Sequence, residues 1–163
     1  MQELRERVLR LLERDAHLTA RQIALMLDVD ENEIKEMIHS CEKEGIINGY
    51  KAVINWEKAL PNHVMAMIEL KITPKRDTGF DEIARQIMAF EEVDSVYLMS
   101  GGYDLLICVS GTTLQEVASF VARRLSTIDG VLATATRFLL KKYKEHGIAL
   151  CGEEEVERRT MQL

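Results

Sequence analysis

Ser100-Gly101-Gly102-Tyr103-Asp104 is the stretch of this 163-residue chain where side chains and bare backbone could together hold a small polar ligand. It offers a phenol, a carboxylate and several backbone N–H groups. The amides of a turn can cradle a carboxylate, and an aspartate can pair with an ammonium. A plainer reading stands beside this one: Tyr103 packs and Asp104 braces the turn. Nothing else in the chain suggests chemistry of comparable density. His17, His39, His63 and His146 are scattered. No Ser/His/Asp set, paired-carboxylate geometry or phosphate loop is identifiable. Cys41, Cys108 and Cys151 are odd in number and far apart, with no Cys-x-x-Cys or Cys/His spacing. The expectation is therefore no catalytic residue, no cofactor, no metal, and free thiols in a reducing cytoplasm.

The turn is flanked by two apolar runs, Val96–Met99 and Leu105–Val109, which read as a β-hairpin with a tight Gly-Gly turn. Leu105–Val109 has no polar alternation, the mark of a central strand buried on both faces. Upstream, Val64, Ala66, Ile68, Leu70 and Ile72 alternate with Met65, Met67, Glu69, Lys71 and Thr73, a strand with one apolar face. Pro74–Thr78 reads as a loop. The stretch 79–90 reads as a helix with a Phe80, Ile83, Ile87, Phe90 stripe. Downstream, Thr112 or Thr113 caps a helix whose inner face is Val117, Phe120, Val121 and Leu125, and Asp129-Gly130 leads into a last strand over 131–143. The order β-α-β-β-α-β is the ferredoxin-like split βαβ, with both helices on one face of a four-stranded sheet. A bare second face predicts a homodimer.

The N-terminal third is helical. Leu4, Val8, Leu11 and Leu12 share one face of a helix over about 2–14. Thr19 caps a second helix over 20–27, and Asp30 a third over about 31–44, with Ile34, Ile38 and Cys41 inward and Gly45 ending it. This is the skeleton of a helix-turn-helix. The spacing then predicts a strand over 46–54 and a linker ending at Pro61, with Trp56 as a packing anchor. The fold class expected is thus α+β: a helix-turn-helix (1–50), a linker strand and loop (51–63), a ferredoxin-like βαββαβ domain (64–145), and a tail (146–163) read as a short helix or frayed end.

Hydrophobic residues at 47% and charged residues at 29% suit a globular protein. No run approaches the roughly 18 apolar residues that span a bilayer, and no signal-peptide h-region opens the chain. A cytoplasmic protein without a membrane partner is expected. The net charge of −6 argues against a general polyanion binder, though not against a locally basic face.

In this order the elements resemble the Lrp/AsnC, or feast/famine, transcriptional regulators. The resemblance runs over about residues 1–145. Gly45, Ile46, Ile47, Gly49 and Tyr50 fit the family's segment after the recognition helix. Ser100–Asp104 resembles its Thr-Gly-x-Tyr-Asp turn, with Ser for Thr. Asp129-Gly130-Val131 and Thr134-Ala135-Thr136 resemble its Pro-Gly-Val and Thr-x-Thr. The resemblance implies a DNA-binding regulator, dimeric through the second domain and often octameric. It also implies an amino-acid or similar effector at Ser100, Gly101, Gly102, Tyr103 and Asp104, with Thr134 and Thr136. Relatives that decarboxylate a tetrapyrrole carry a His- and Arg-bearing hairpin, which this chain lacks, so an enzyme is not expected.

One departure stands out. Family members place Arg or Lys at several positions equivalent to Asn32, Glu36, Met37, His39 and Ser40. Here residues 30–45 hold six acids against Lys35 and Lys43, a net of −4. Acids near a helix N-terminus also suit its dipole. The expected partner is double-stranded DNA, bound weakly through Arg21, Asn32, Lys35, Glu36, His39 and Ser40, with Arg5, Arg7, Arg10 and Arg14 of the first helix as further phosphate contacts. The competing expectation is an effector-binding oligomer whose acidic helix-turn-helix no longer binds DNA by itself.

Overall fold

A computed structural model describes residues 2–60, 62–74 and 79–151. They form two compact units, residues 2–54 with 144–149, and residues 55–143 with 150–151. Pro61, most of the 74–78 loop, and the tail from 152 onward lie outside the described residues.

The first unit is built on α1 (Gln2–Arg14), α2 (Ala20–Leu27) and α3 (Glu31–Lys43). Thr19 and Gln22 form a reciprocal capping box at the start of α2. The Asp30 carboxylate accepts the Asn32 N–H at 2.8 Å to start α3. Asp28, at φ 55, reverses the chain between the two helices in the left-handed conformation that Asp tolerates. Val8, Leu12, Ile23, Ala24 and Ile34 form the core, closed over by Leu4, Leu11, Leu27 and Ile38. The expected strand over 46–54 does not form. A lone strand has no ladder for its N–H and C=O groups, and no other described segment pairs with this one.

In the second unit, Asn55 caps a single turn, α4 (Trp56–Ala59), which sequence reading took for linker. The Trp56 ring lies 5.3 Å from that of His63. There follow β1 (Val64–Ile72), α5 (Asp81–Met88), β2 (Val93–Leu98), β3 (Leu105–Gly111), α6 (Leu114–Phe120), which continues as a π-helical turn over Val121–Leu125, and β4 (Val131–Phe138). The antiparallel sheet has the order β2-β3-β1-β4. Ala66, Ile68, Leu70 and Ile72 of β1 and Leu105, Ile107 and Val109 of β3 pack against Ile83 and Ile87 of α5 and Val117, Phe120, Val121 and Leu125 after β3. Thr113, not Thr112, caps α6, through the Glu116 N–H.

Three boundaries differ from expectation. The helix expected over 79–90 is shorter at both ends, because Gly79 is left-handed at φ 57 and Ala89 bonds back to Ile87. The hairpin does not turn on two glycines: Leu98 opposes Leu105, and residues 99–104 form a wider connection closed by Met99 N–H to Asp104 C=O at 2.8 Å. The last strand stops at Phe138. Beyond it, β5 (Lys144–Glu145) and β6 (Ile148–Ala149) form a small ribbon that sequence reading missed. Finally, β3 is central but not buried on both faces. Leu105, Ile107 and Val109 are buried, whereas Leu106 and Cys108 are half-buried on the open face.

Candidate functional site

The 99–104 connection is held in place by Asp104. Its carboxylate accepts the Ile72 N–H at 2.9 Å and the Lys71 ammonium at 3.3 Å. Its own N–H donates to the Leu70 C=O at 2.8 Å. The Ile72 N–H, with Lys71 beside it, holds this carboxyl below the ordinary aspartate value. Asp104 thus ties the hairpin to the end of β1, where the pairing with β4 shifts register between Lys71 and Ile72. The bracing role is the one the geometry displays.

The residues before it are differently placed. Ser100, Gly101 and Gly102 are exposed and Tyr103 is half-buried. Gly101 sits at φ 138, a conformation closed to most side chains. Within the described residues, the N–H groups of Ser100, Gly101, Gly102 and Tyr103 donate no hydrogen bond. Four consecutive amides without a protein acceptor are a place for water or an anionic group. A Cβ on either Gly101 or Gly102 would meet no atom within 4 Å.

Thr134 and Thr136 do not lie on the open side. They oppose Leu70 and Ile68, and directly opposed residues of an antiparallel pair share a face. Both threonines are therefore half-buried on the helix-covered face. The open face instead brings in two residues that sequence reading did not single out for the site. The Arg137 guanidinium donates to both Glu69 oxygens, at 2.8 and 3.1 Å, and holds the Glu69 carboxyl below its usual range. Glu69 was visible in sequence as a charge on the more polar side of the β1 alternation, with Lys71 and Thr73 after it. Its partner, 68 residues on, required the topology.

The helix-turn-helix residues Arg21, Asn32, Lys35, Glu36, His39 and Ser40 are all exposed. The acids around them divide into two groups. Asp30 caps α3. Glu31 pairs with Lys35 at 2.6 Å. Glu42 accepts the Tyr50 hydroxyl at 3.0 Å. Glu44 accepts the Ser40 hydroxyl at 2.5 Å and pairs with Arg5 at 3.4 Å. Glu33 and Glu36 have no partner among the described residues. So four of the six acids serve the fold, two face solvent unpaired, and Lys35 is engaged within its own helix.

Comparison with known proteins places both halves. The Lrp/AsnC ligand binding domain matches residues 65–149, and a winged helix-turn-helix DNA-binding domain matches residues 1–48. The chain is 46% identical over 141 residues to YugG of Bacillus subtilis, an uncharacterised HTH-type transcriptional regulator, covering 86% of this chain and 85% of that one. Among solved structures, the Mycobacterium tuberculosis leucine response regulatory protein LrpA matches with TM-score 0.75 and 19% identity, over 93% of this chain and all of that one. The regulator NMB0573 of Neisseria meningitidis, solved as an L-Met complex, matches with TM-score 0.72 and 21% identity, over 89% of this chain and 93% of that one.

Proposed function

Since the chain belongs to the Lrp/AsnC family of transcriptional regulators, with a helix-turn-helix and a ligand-binding domain, we propose that it binds double-stranded DNA weakly as a homodimer or larger assembly and that an amino acid modulates the binding. We read the chain as a regulator and not an enzyme, in keeping with relatives named as transcriptional regulators, and as a protein that works beside DNA in the cytoplasm. The effector reading rests on one observation: four adjacent amides, Ser100 to Tyr103, lie unclaimed within the family's ligand-binding domain. They would take the effector carboxylate, with Tyr103 beside them. Asp104 contributes mainly by fixing the turn, because its oxygens already serve Ile72 and Lys71. Dimerisation is supported by the open sheet face, where Met67 and Tyr97 remain 41% and 50% exposed beside Leu106 and the alanines of β4.

The test is a thermal-shift panel of the twenty amino acids. One or a few should raise the melting temperature by linkage to the native state. Gly102→Ala should abolish the rise and leave the apo protein's Tm within about a degree, since its Cβ meets nothing. No shift with any amino acid overturns the effector reading. Light scattering at micromolar concentration should report at least a dimer.

A second reading is favoured by Glu33 and Glu36: the helix-turn-helix serves protein contacts and does not bind DNA by itself. Absence of binding to any duplex at low salt, with effector binding intact, would select it.

A further inference from the structure

The four-stranded sheet ends in two edge strands, β2 on one side and β4 on the other. An edge strand presents unpaired N–H and C=O groups, and proteins blunt such edges with charges, prolines, bulges or short strands. The β2 edge is blunted. Its pairing with β3 shifts register between Val93 and Ser95, and the residue set out by the shift, Asp94, is an exposed acid. The Met99 N–H donates to the Asp104 C=O, and residues of an antiparallel strand alternate between facing the neighbour and facing away. Beyond the bulge, therefore, only Val96 and Leu98 of β2 turn backbone groups outward.

The β4 edge carries no such guard. Its register shift lies at its start, opposite Lys71 and Ile72, and from Ala133 to Phe138 it pairs with β1 without a break. The Leu139 N–H donates to the Met65 C=O at 2.9 Å, which sets the phase. Ala133, Ala135 and Arg137 direct their backbone groups to β1, and Thr134, Thr136 and Phe138 direct theirs outward. Those outward groups bond no described residue. The strand holds no proline, and its single charged side chain, Arg137, is drawn across to Glu69. We propose that this edge is closed by β4 of a second copy of the chain, paired antiparallel about Thr136.

The strand's own register names the occupant. A twofold axis at Thr136 sets that residue opposite its equivalent, and sets Thr134 of each copy opposite Phe138 of the other. Every outward N–H and C=O then meets an acceptor or a donor. Directly opposed residues share a face. Threonine and phenylalanine meet on the helix-covered side, where Phe138 already packs against the core, and Arg137 meets the small Ala135 on the open side. Moving the axis to Arg137 would oppose two like charges, which destabilises a pair. An unrelated extended peptide has the backbone groups but not this self-match. The contact is isologous and closes on itself. It uses the edge of the sheet, whereas the dimer proposed above uses the open face, so the two contacts together build assemblies larger than a dimer.

The test uses the full chain, with amide hydrogen exchange read residue by residue and sedimentation to give the mass. In the wild type the amides of Thr134, Thr136 and Phe138 should exchange roughly a hundredfold or more slower than in the unfolded chain, and dilution should speed them. Thr136→Pro removes the outward N–H at the centre of the contact and spares the β1 ladder, since an edge position tolerates proline. Its circular dichroism should match the wild type, and its assembly should fall to the face-to-face dimer. A wild-type dimer that becomes a monomer in the variant supports the edge contact and overturns the open-face dimer instead. A folded variant of wild-type mass overturns the edge contact and leaves the open face standing. A wild-type monomer overturns both. Exchange that is fast at the three amides, or slow but indifferent to dilution, overturns the edge contact whatever the mass, and decides the matter alone if the variant does not fold.

Discussion

Glu36→Arg is the perturbation that most directly questions how this helix-turn-helix meets DNA. Glu36 is exposed on α3 and has no partner among the described residues, so replacing it breaks nothing that holds the fold. The change turns a group that repels phosphate into one that can neutralise it. One added phosphate contact steepens the log–log salt slope by about 0.9, which is roughly eightfold in affinity at about 0.1 M salt and about fifteenfold at 0.05 M. Loss of the carboxylate's repulsion adds to this at low salt and is screened at high salt. One feature works against the gain. Glu33 lies one turn before and is also unpaired, so the new arginine can pair with it within the helix. Glu33→Gln/Glu36→Arg therefore should show the full effect, and Glu36→Arg alone part of it. Fluorescence anisotropy on a labelled random duplex, from about 50 to 200 mM salt, reads both slope and affinity. If the wild type already binds random duplex tightly with a steep slope and the variants leave both unchanged, α3 is not at the phosphates, and the reasoning from its charge is refuted.

Ile107 is wholly buried between the sheet and its helices. Ile107→Ala should cost about 2–5 kcal/mol in urea unfolding by loss of contacts and an unfilled cavity, and a loss below about 1 kcal/mol would show that this core collapses around the gap. Asp104→Asn probes the brace by pH. Because the folded-state pKa of Asp104 lies below its ordinary value, its contribution is present above the unfolded-state value near about 4 and disappears as pH falls through the lower folded value. The stability difference between wild type and variant should therefore be largest near neutrality and shrink on acidification below about pH 4. A difference independent of pH would mean that the Ile72 and Lys71 contacts do not favour the ionised form.

Much of this protein is legible in local sequence. The capping box at Thr19, the Asp30 cap and the alternation of Val64 to Ile72 depend on residues two to four apart, and a chain encodes those periods directly. The order β-α-β-β-α-β then leaves few sheets open, and in the observed β2-β3-β1-β4 each helical crossover joins two strands that have one strand between them. What local pattern could not supply was the partner of each polar group. Glu33 and Glu36 look no different in sequence from Glu42 and Glu44. Only the approach of Tyr50 and Arg5 separates acids that serve the fold from acids that face solvent unpaired. Asp104 reads in sequence either as a ligand's counter-ion or as a brace for the turn, and the bond from the Ile72 N–H, 32 residues away, displays the brace. Thr134 and Thr136 fit a family motif, yet their face is set by register against β1, and a one-residue slip would reverse it. The 144–149 ribbon has strands of two residues, too short for any periodicity to show. Its existence follows from a left-handed turn and a root tied by distant side chains, which are contacts that the folded chain makes and its local sequence does not announce.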